Sequence, residues 1–293
     1  MTEGSEGIRT LCAACGELLD EQTGLTLSGR VTTFPARDGV PCPKCGSLER
    51  RTEIIRSTGD SIVGSPLTIT LRSYFSSHLL WTAMREAELA GRMEATHAGQ
   101  SRFDVEHRGH VLSSIVASAA FLEAMVNELY QDAADDHAPP DGYITPLSAS
   151  CRRLMAELWR STDGGMLKEI PKYEMLLAFA EAPALDRGAQ PYQDASLVIR
   201  LRNAILHYRP ENVSVVDEAH AMEQRLRGKF EENALMAGSG NSWWPDHALG
   251  YGAATWAHRA VKALADHVSD ALGIDPNYRR IERGGWFGQP PGE

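Results

Sequence analysis

Cys12-Ala13-Ala14-Cys15 and Cys42-Pro43-Lys44-Cys45 are two C-x2-C pairs with 26 residues between them, and no other feature of this 293-residue chain restricts its folding as tightly. Four thiolates at this spacing satisfy the tetrahedral preference of Zn²⁺, each sulfur about 2.3 Å from the metal, when two tight turns present them as convergent pairs. Gly16 and Gly46 follow the two pairs and suit turn positions that call for positive φ. Between the pairs, the segment from Leu25 to Phe34 supplies strand-prone residues around a turn, so a short β-hairpin carrying the cysteines is expected. Cys12, Cys15, Cys42 and Cys45 together leave no open coordination position, which makes such a metal structural rather than catalytic. A disulfide framework and a thioredoxin-like redox motif are the alternatives; a reducing cytoplasm disfavours the first, and the lack of a flanking βαβ pattern disfavours the second. Cys151 stands apart and reads as an ordinary buried thiol.

This arrangement predicts a zinc ribbon over residues 1–60. Lys44, Arg50, Arg51 and Arg56 gather around the second pair but are diluted by Glu49 and Glu53, so contact with RNA and plain structural packing both remain open for it. Turn-forming residues from Ser57 to Pro66 then mark a way out of the ribbon. The domain reading is a ribbon over 1–60, a linker over 61–75, a helical domain over 76–275 and a flexible tail over 276–293.

The body of the chain reads as mainly α. Helices are expected over 79–94, 107–131, 151–159, 170–180, 193–207, within 213–233 and over 251–272. In the second of these, Ile115, Leu122, Met125 and Leu129 recur at helical spacing; in the last, Ala253, Ala257, Ala260, Leu264 and Val268 do the same. Trp243-Trp244-Pro245 can offer rings for base stacking, although such residues more often pin a loop to a core.

Charge and hydropathy bound the function. A formal net charge of −10 argues against a protein that grips nucleic acid through a broad basic surface. Locally the balance differs: residues 200–229 hold six basic residues (Arg200, Arg202, Arg209, Arg225, Arg227, Lys229) against four acidic ones (Glu211, Asp217, Glu218, Glu223). No continuous apolar run long enough to span a bilayer is present and the first residues are acidic, so a cytoplasmic protein without a membrane segment is expected.

The chemistry-bearing stretch is Arg202-Asn203-Ala204-Ile205-Leu206-His207, which closes a helix just ahead of Pro210. Arginine carries a permanent charge and clamps phosphate oxygens with a planar fork, while histidine takes and gives a proton near neutrality. Positions 203 and 207 are one turn apart, so Asn203 is placed to orient the His207 ring. Arg202 and His207 lie roughly 140° apart around the axis, so a second surface is needed to bring both to one substrate. The leucine, isoleucine and tyrosine at Leu197, Leu201, Ile205 and Tyr208 are expected to form the buried stripe of that helix. The plain alternative is a surface arginine and a histidine that caps a helix C-terminus.

The R-N-x-x-x-H stretch resembles the Arg-x4-His motif of the HEPN superfamily, whose members are helical domains that usually dimerise and join two such motifs in one cleft. The resemblance extends to Ser118-Ala119-Ala120-Phe121-Leu122-Glu123-Ala124-Met125-Val126-Asn127-Glu128, similar to the earlier helix that packs against the motif helix and lends polar groups to the cleft. It implies an HEPN-like bundle, a homodimer, RNA as substrate and a catalytic set of Arg202, His207 and Asn203. It further implies that Glu123, Asn127 and Tyr208 line that cleft, where the carboxylate of Glu123 would pair with Arg202 or orient His207. Tyr208 follows His207 directly, whereas family toxins regulated by nucleotidyl transfer carry the modified tyrosine one place further on, where this chain has Arg209.

Many HEPN proteins are ribonucleases in toxin, stress-response or antiviral systems. With no acidic cluster in the sequence to cage Mg²⁺, the economical reaction is attack by the RNA's own 2′-hydroxyl, with His207 as acid or base and Arg202 on the developing charge. A non-catalytic HEPN module that binds RNA, a nucleotide or a protein partner is the competing expectation. In the nuclease reading a regulatory protein or ligand is also expected, since an unrestrained ribonuclease injures its own cell.

Overall fold

The computed structural model describes residues 6–12, 15, 17–23, 43–44, 50–58, 61–66, 74–135, 144–161, 167–209 and 219–279. The chain divides into two compact units, residues 1–73 and 74–293.

The first unit is built on an antiparallel sheet. Its strands are β1 (Glu6–Cys12), β2 (Leu18–Thr23), β3 (Arg50–Thr58) and β4 (Ser61–Pro66), in the order β2-β1-β3-β4. Strand β1 is central: it pairs with β2 from Gly7↔Thr23 to Leu11↔Leu18, with an irregularity between Thr10 and Leu11, and with β3 from Glu6↔Arg56 to Cys12↔Arg50. Thr58 pairs with Ser61 across the dipeptide Gly59-Asp60, a sequence suited to a two-residue hairpin connection. The stretch expected as a linker from residue 61 therefore begins with a paired strand. The hairpin expected between Leu25 and Phe34 lies outside the described residues, as does the tail from residue 280.

The second unit is helical: α1 (Ser76–Thr96), α2 (Val105–Ala134), α3 (Ala149–Ser161), α4 (Glu169–Phe179), α5 (Tyr192–Leu206), α6 (Ala221–Leu226) and α7 (Tyr251–Leu272). At 30 residues α2 is the axial element, about 45 Å long, and it packs against α1, α3, α4, α5 and α7. Asp104 starts it as an N-cap whose side chain accepts from the His107 backbone N–H at 3.1 Å. Val111, Ile115, Phe121, Leu122, Met125 and Leu129 are fully buried along it. Burial of each such side chain stabilises the fold by about 1.5–3 kcal/mol.

By length and composition α2 is also apolar enough to cross a membrane, and 56% of its most apolar window is buried inside the unit. It is not one continuous apolar run, because Ser113, Ser114 and Ser118 interrupt it. The buried Ser114 hydroxyl donates to the Ala83 carbonyl of α1 at 2.7 Å and so joins the two helices through a satisfied polar group.

Carboxylates from neighbouring helices complete two helix starts. Glu128 of α2 accepts from the Ser76 backbone N–H at 2.8 Å and from its hydroxyl at 2.6 Å, which anchors the first turn of α1. Glu94 of α1 accepts from the Tyr251 N–H at 2.7 Å at the first turn of α7 and also contacts His107 Nε2 at 2.9 Å. These acids meet the orphan donors and positive ends of helices that lack a side-chain cap of their own. Within the segment 213–233, where the sequence places a helix, the described residues from 219 onward form the short α6, with Gly228 at φ +81° just beyond its end.

Candidate functional site

Helix α5 positions the Arg-x4-His stretch. Ala195, Val198 and Leu201 face the core, and Leu197 and Ile205 are partly buried against it. Tyr208, expected on the buried stripe, is 52% exposed. Helix α5 stops at Leu206, so Tyr208 lies past the last turn and no longer follows the helical period.

The same stop changes His207. It is the C-cap residue, at φ −107° and ψ 26°, and its backbone N–H donates to the Asn203 carbonyl at 2.9 Å. The expected side-chain contact between Asn203 and His207 is not formed; among the described residues neither side chain has a hydrogen-bond partner. Asn203, His207 and Tyr208 are all exposed, beside Leu206 at 54% exposure.

Arg202 looks the other way, into a junction of three helices. Its Nη2 donates to Glu169 Oε1 in the first turn of α4 at 2.6 Å and lies 3.9 Å from Glu123 Oε2 of α2. One turn further along each of those helices stand Lys172 and Asn127, joined by a bond from Lys172 Nζ to Asn127 Oδ1 of 2.7 Å. Lys172 is 4% exposed and its ammonium sits 5.2 Å from the centroid of the Trp159 ring, within cation–π range. Burial holds the Lys172 pKa below the ordinary lysine value, and the charges of Glu123 and Glu169 act against that fall. The result is a cluster of two carboxylates, two cations and an amide, most open to solvent at Glu123, whose side chain is 48% exposed.

Glu123 thus lies near Arg202 as the more distant of its two carboxylates, while Asn127 serves Lys172. His207 joins neither. Glu169 and Lys172 were not singled out in the sequence, although a signal exists: an acid and a lysine one turn apart on a helix whose other positions include the buried Ile170, Tyr173, Leu176 and Leu177. A lysine embedded among such residues has to find partners within the fold.

The helical unit also contains an open pocket of about 610 Å³, lined in part by Pro191, Asp194, Phe230, Tyr251, Trp256 and Arg259. It opens at the N-terminal end of α5, roughly 20 Å along the helix axis from His207 at 1.5 Å per residue. Trp243 and Trp244 are 7% and 4% exposed, with Trp243 Nε1 donating to Glu232 Oε1 at 2.6 Å, so these rings pin their loop and offer no face to a base.

In the first unit, β1 ends on Cys12, which pairs with Arg50 at the start of β3. Cys15 is exposed; Cys42 and Cys45 lie outside the described residues. Lys44, which lies between those two in sequence, pairs with Glu17 at 3.0 Å, two residues past Cys15. Among the described residues no group of three or more His, Cys, Asp or Glu side chains is placed to hold a metal. Compared with known proteins, the chain matches no protein-family model, no curated protein and no solved structure.

Proposed function

We propose that the helical unit is a metal-independent endoribonuclease of the HEPN type that works as a homodimer on RNA in the cytoplasm. The observation that carries this reading is Arg202 itself, a guanidinium fixed by carboxylates where α2, α4 and α5 meet, on the helix that ends in the exposed imidazole of His207. In one chain these two groups face apart. A second copy supplies the missing proximity, with each copy contributing an arginine and a histidine to a shared cleft; the exposed Leu206 and Tyr208 beside His207 provide apolar contact for it.

The reaction needs no group beyond these and the RNA. One His207 takes the proton of the 2′-hydroxyl, the 2′-oxygen bonds to phosphorus, and the bond from phosphorus to the 5′-oxygen breaks. That oxygen receives a proton from the second His207, leaving a 2′,3′-cyclic phosphate and a 5′-hydroxyl. Arg202 stabilises the extra charge on the equatorial phosphate oxygens. DNA lacks the nucleophile and is resistant. Such an activity fits an effector that restrains growth, as a toxin, in a stress response or in antiviral defence, under the control of a protein or ligand.

The test is sequencing of RNA ends after induced expression of wild type and His207→Ala at matched protein level. New ends bearing cyclic phosphate with wild type alone are expected, the loss on substitution reaching about 10²–10⁴-fold; identical profiles refute the nuclease. The competing reading is a non-catalytic module that binds RNA, a nucleotide or a protein partner. It draws on one specific observation: within one chain Arg202 pairs with Glu169 and is not joined to the exposed His207, so the two groups do not form one acid–base site.

For the first unit we propose a structural Zn²⁺ held by Cys12, Cys15, Cys42 and Cys45. Two contacts support it: the Cys12↔Arg50 pairing, which returns the chain to Cys12 five residues after Cys45, and the ion pair of Lys44 with Glu17. Lys44 and Arg50, which stand on either side of Cys45 in the sequence, are thus beside Glu17 and Cys12. Zn²⁺ there would tie two chain segments together and leave no position for substrate.

A further inference from the structure

The guanidinium read as the phosphate clamp is already engaged. Arg202 Nη2 is 2.6 Å from Glu169 Oε1, and the two side chains are only 20% and 12% exposed. Carboxylate and phosphate present the same kind of anionic oxygen to a guanidinium, so a phosphodiester and Glu169 compete for the same donor. Charge adds to the competition: Glu123 and Glu169 balance Arg202 and Lys172 within the cluster, and an incoming phosphate meets no net positive charge.

We infer that Glu169 is a built-in latch on this site: its carboxylate occupies the phosphate position on Arg202, holds the chain in a low-affinity state, and must swing away for an RNA phosphodiester to bind. The inference rests on the reading of Arg202 as a phosphate clamp. Glu169 acts through Arg202 and is a positioning residue. Its place helps it to do so, since it is the first residue of α4, where backbone contacts are fewer than in a helix interior and where a carboxylate also gains from the positive helix end. When the latch opens, Arg202 is released to the phosphate while Lys172 stays tied to Asn127 and the Trp159 ring and keeps α4 registered on α2. Control of the proposed nuclease then needs no separate inhibitor domain. Anything that draws the start of α4 away from α5 switches the site on.

The latch is tested with full-length protein and a fluorescent 2′-O-methyl RNA oligonucleotide, which binds without being cleaved. Glu169→Gln keeps the side-chain shape and removes the charge, so it is expected to bind about tenfold more tightly than wild type, with a log K against log salt slope steeper by about 0.7, one more phosphate contact on a single strand. Glu169→Asp retains the charge and should stay near wild type. Adding Arg202→Gln to Glu169→Gln should erase the gain. Equal affinity of wild type and Glu169→Gln overturns the latch, and so does a gain shared by Glu169→Asp or one that survives loss of Arg202. No binding by any form overturns the phosphate clamp itself. Cleavage of unmodified RNA is scored separately through His207, so a tighter-binding Glu169→Gln whose RNA ends do not depend on His207 keeps the latch and removes the nuclease.

Discussion

Single residues in this chain are decided by what surrounds them, and His258 of α7 makes that measurable. Burial, and secondarily the charge of Arg259, pull its pKa down from 6.5 to about 4. The unfolded chain therefore binds a proton on this ring between those two values while the folded chain does not, and stability falls as pH drops through that window. Each pH step across it removes about 1.4 kcal/mol, so the loss tends toward about 3 kcal/mol at its foot. Replacing His258 with Gln removes the titration: urea melts at pH 7 and pH 4 should differ by less in His258→Gln than in wild type. An unchanged difference would mean that the ring is already protonated in the folded protein. Lys172 is the same lesson at the candidate site. A charge inside an apolar helix says only that partners exist; Asn127, Glu123 and Trp159 are identified by the fold, because they come from other helices, while Glu169 stands one turn away on α4 itself.

At the scale of elements, close backbone approach separates two glycines that look alike in sequence. A Cβ at Gly252, in the first turn of α7, would lie 2.2 Å from the carbonyl oxygen of Glu231, backbone against backbone, and neither can yield without moving the loop from α7. Gly109, exposed on α2, would meet nothing within 4 Å. Thermal melts should therefore move in opposite directions, Gly252→Ala lowering stability by about 1–3 kcal/mol through overpacking and Gly109→Ala raising it by about 0.5–1 kcal/mol through helix propensity. A stabilised Gly252→Ala would show that the loop does not rest on α7. Helices themselves were well marked: α7 runs from Tyr251 to Leu272 as its alanine spacing indicates, and α2 follows the Ile115, Leu122, Met125, Leu129 stripe. What periodicity did not reveal were ends and partners. It carried α5 one residue too far, which put Tyr208 on the core stripe and Asn203 against the His207 ring. It also had no means of pairing Glu169 with Arg202, a contact that spans 33 positions.

For the molecule as a whole, the sequence already separates a cysteine-bearing β segment from a helical body, and the folded chain divides between residues 73 and 74. The strands β3 and β4 were hidden because Gly59-Asp60 reads equally well as a hairpin turn and as the start of a linker. The two units differ in what can hold them together. The helical unit has a continuous core that includes Phe121, Tyr130, Tyr173 and Tyr278, each buried to within 1%. The first unit is a sheet of short strands on a segment of 73 residues, near the size at which a small domain relies on a disulfide or a metal. If Zn²⁺ joins Cys12, Cys15, Cys42 and Cys45, its removal should affect one unit alone. Purified protein should carry one zinc per chain by elemental analysis, and Cys42→Ser with Cys45→Ser should carry none. Stripping the metal should abolish protection of β1 and β3 amides from hydrogen exchange while α2 and α7 keep theirs, because a site fully closed by thiolates contributes folding energy only where it is built. Loss of protection in α2 along with β1 would show that the metal supports the helical unit too. Full protection everywhere after stripping would mean that the sheet stands on its own hydrogen bonds and that the paired cysteines serve something other than the fold.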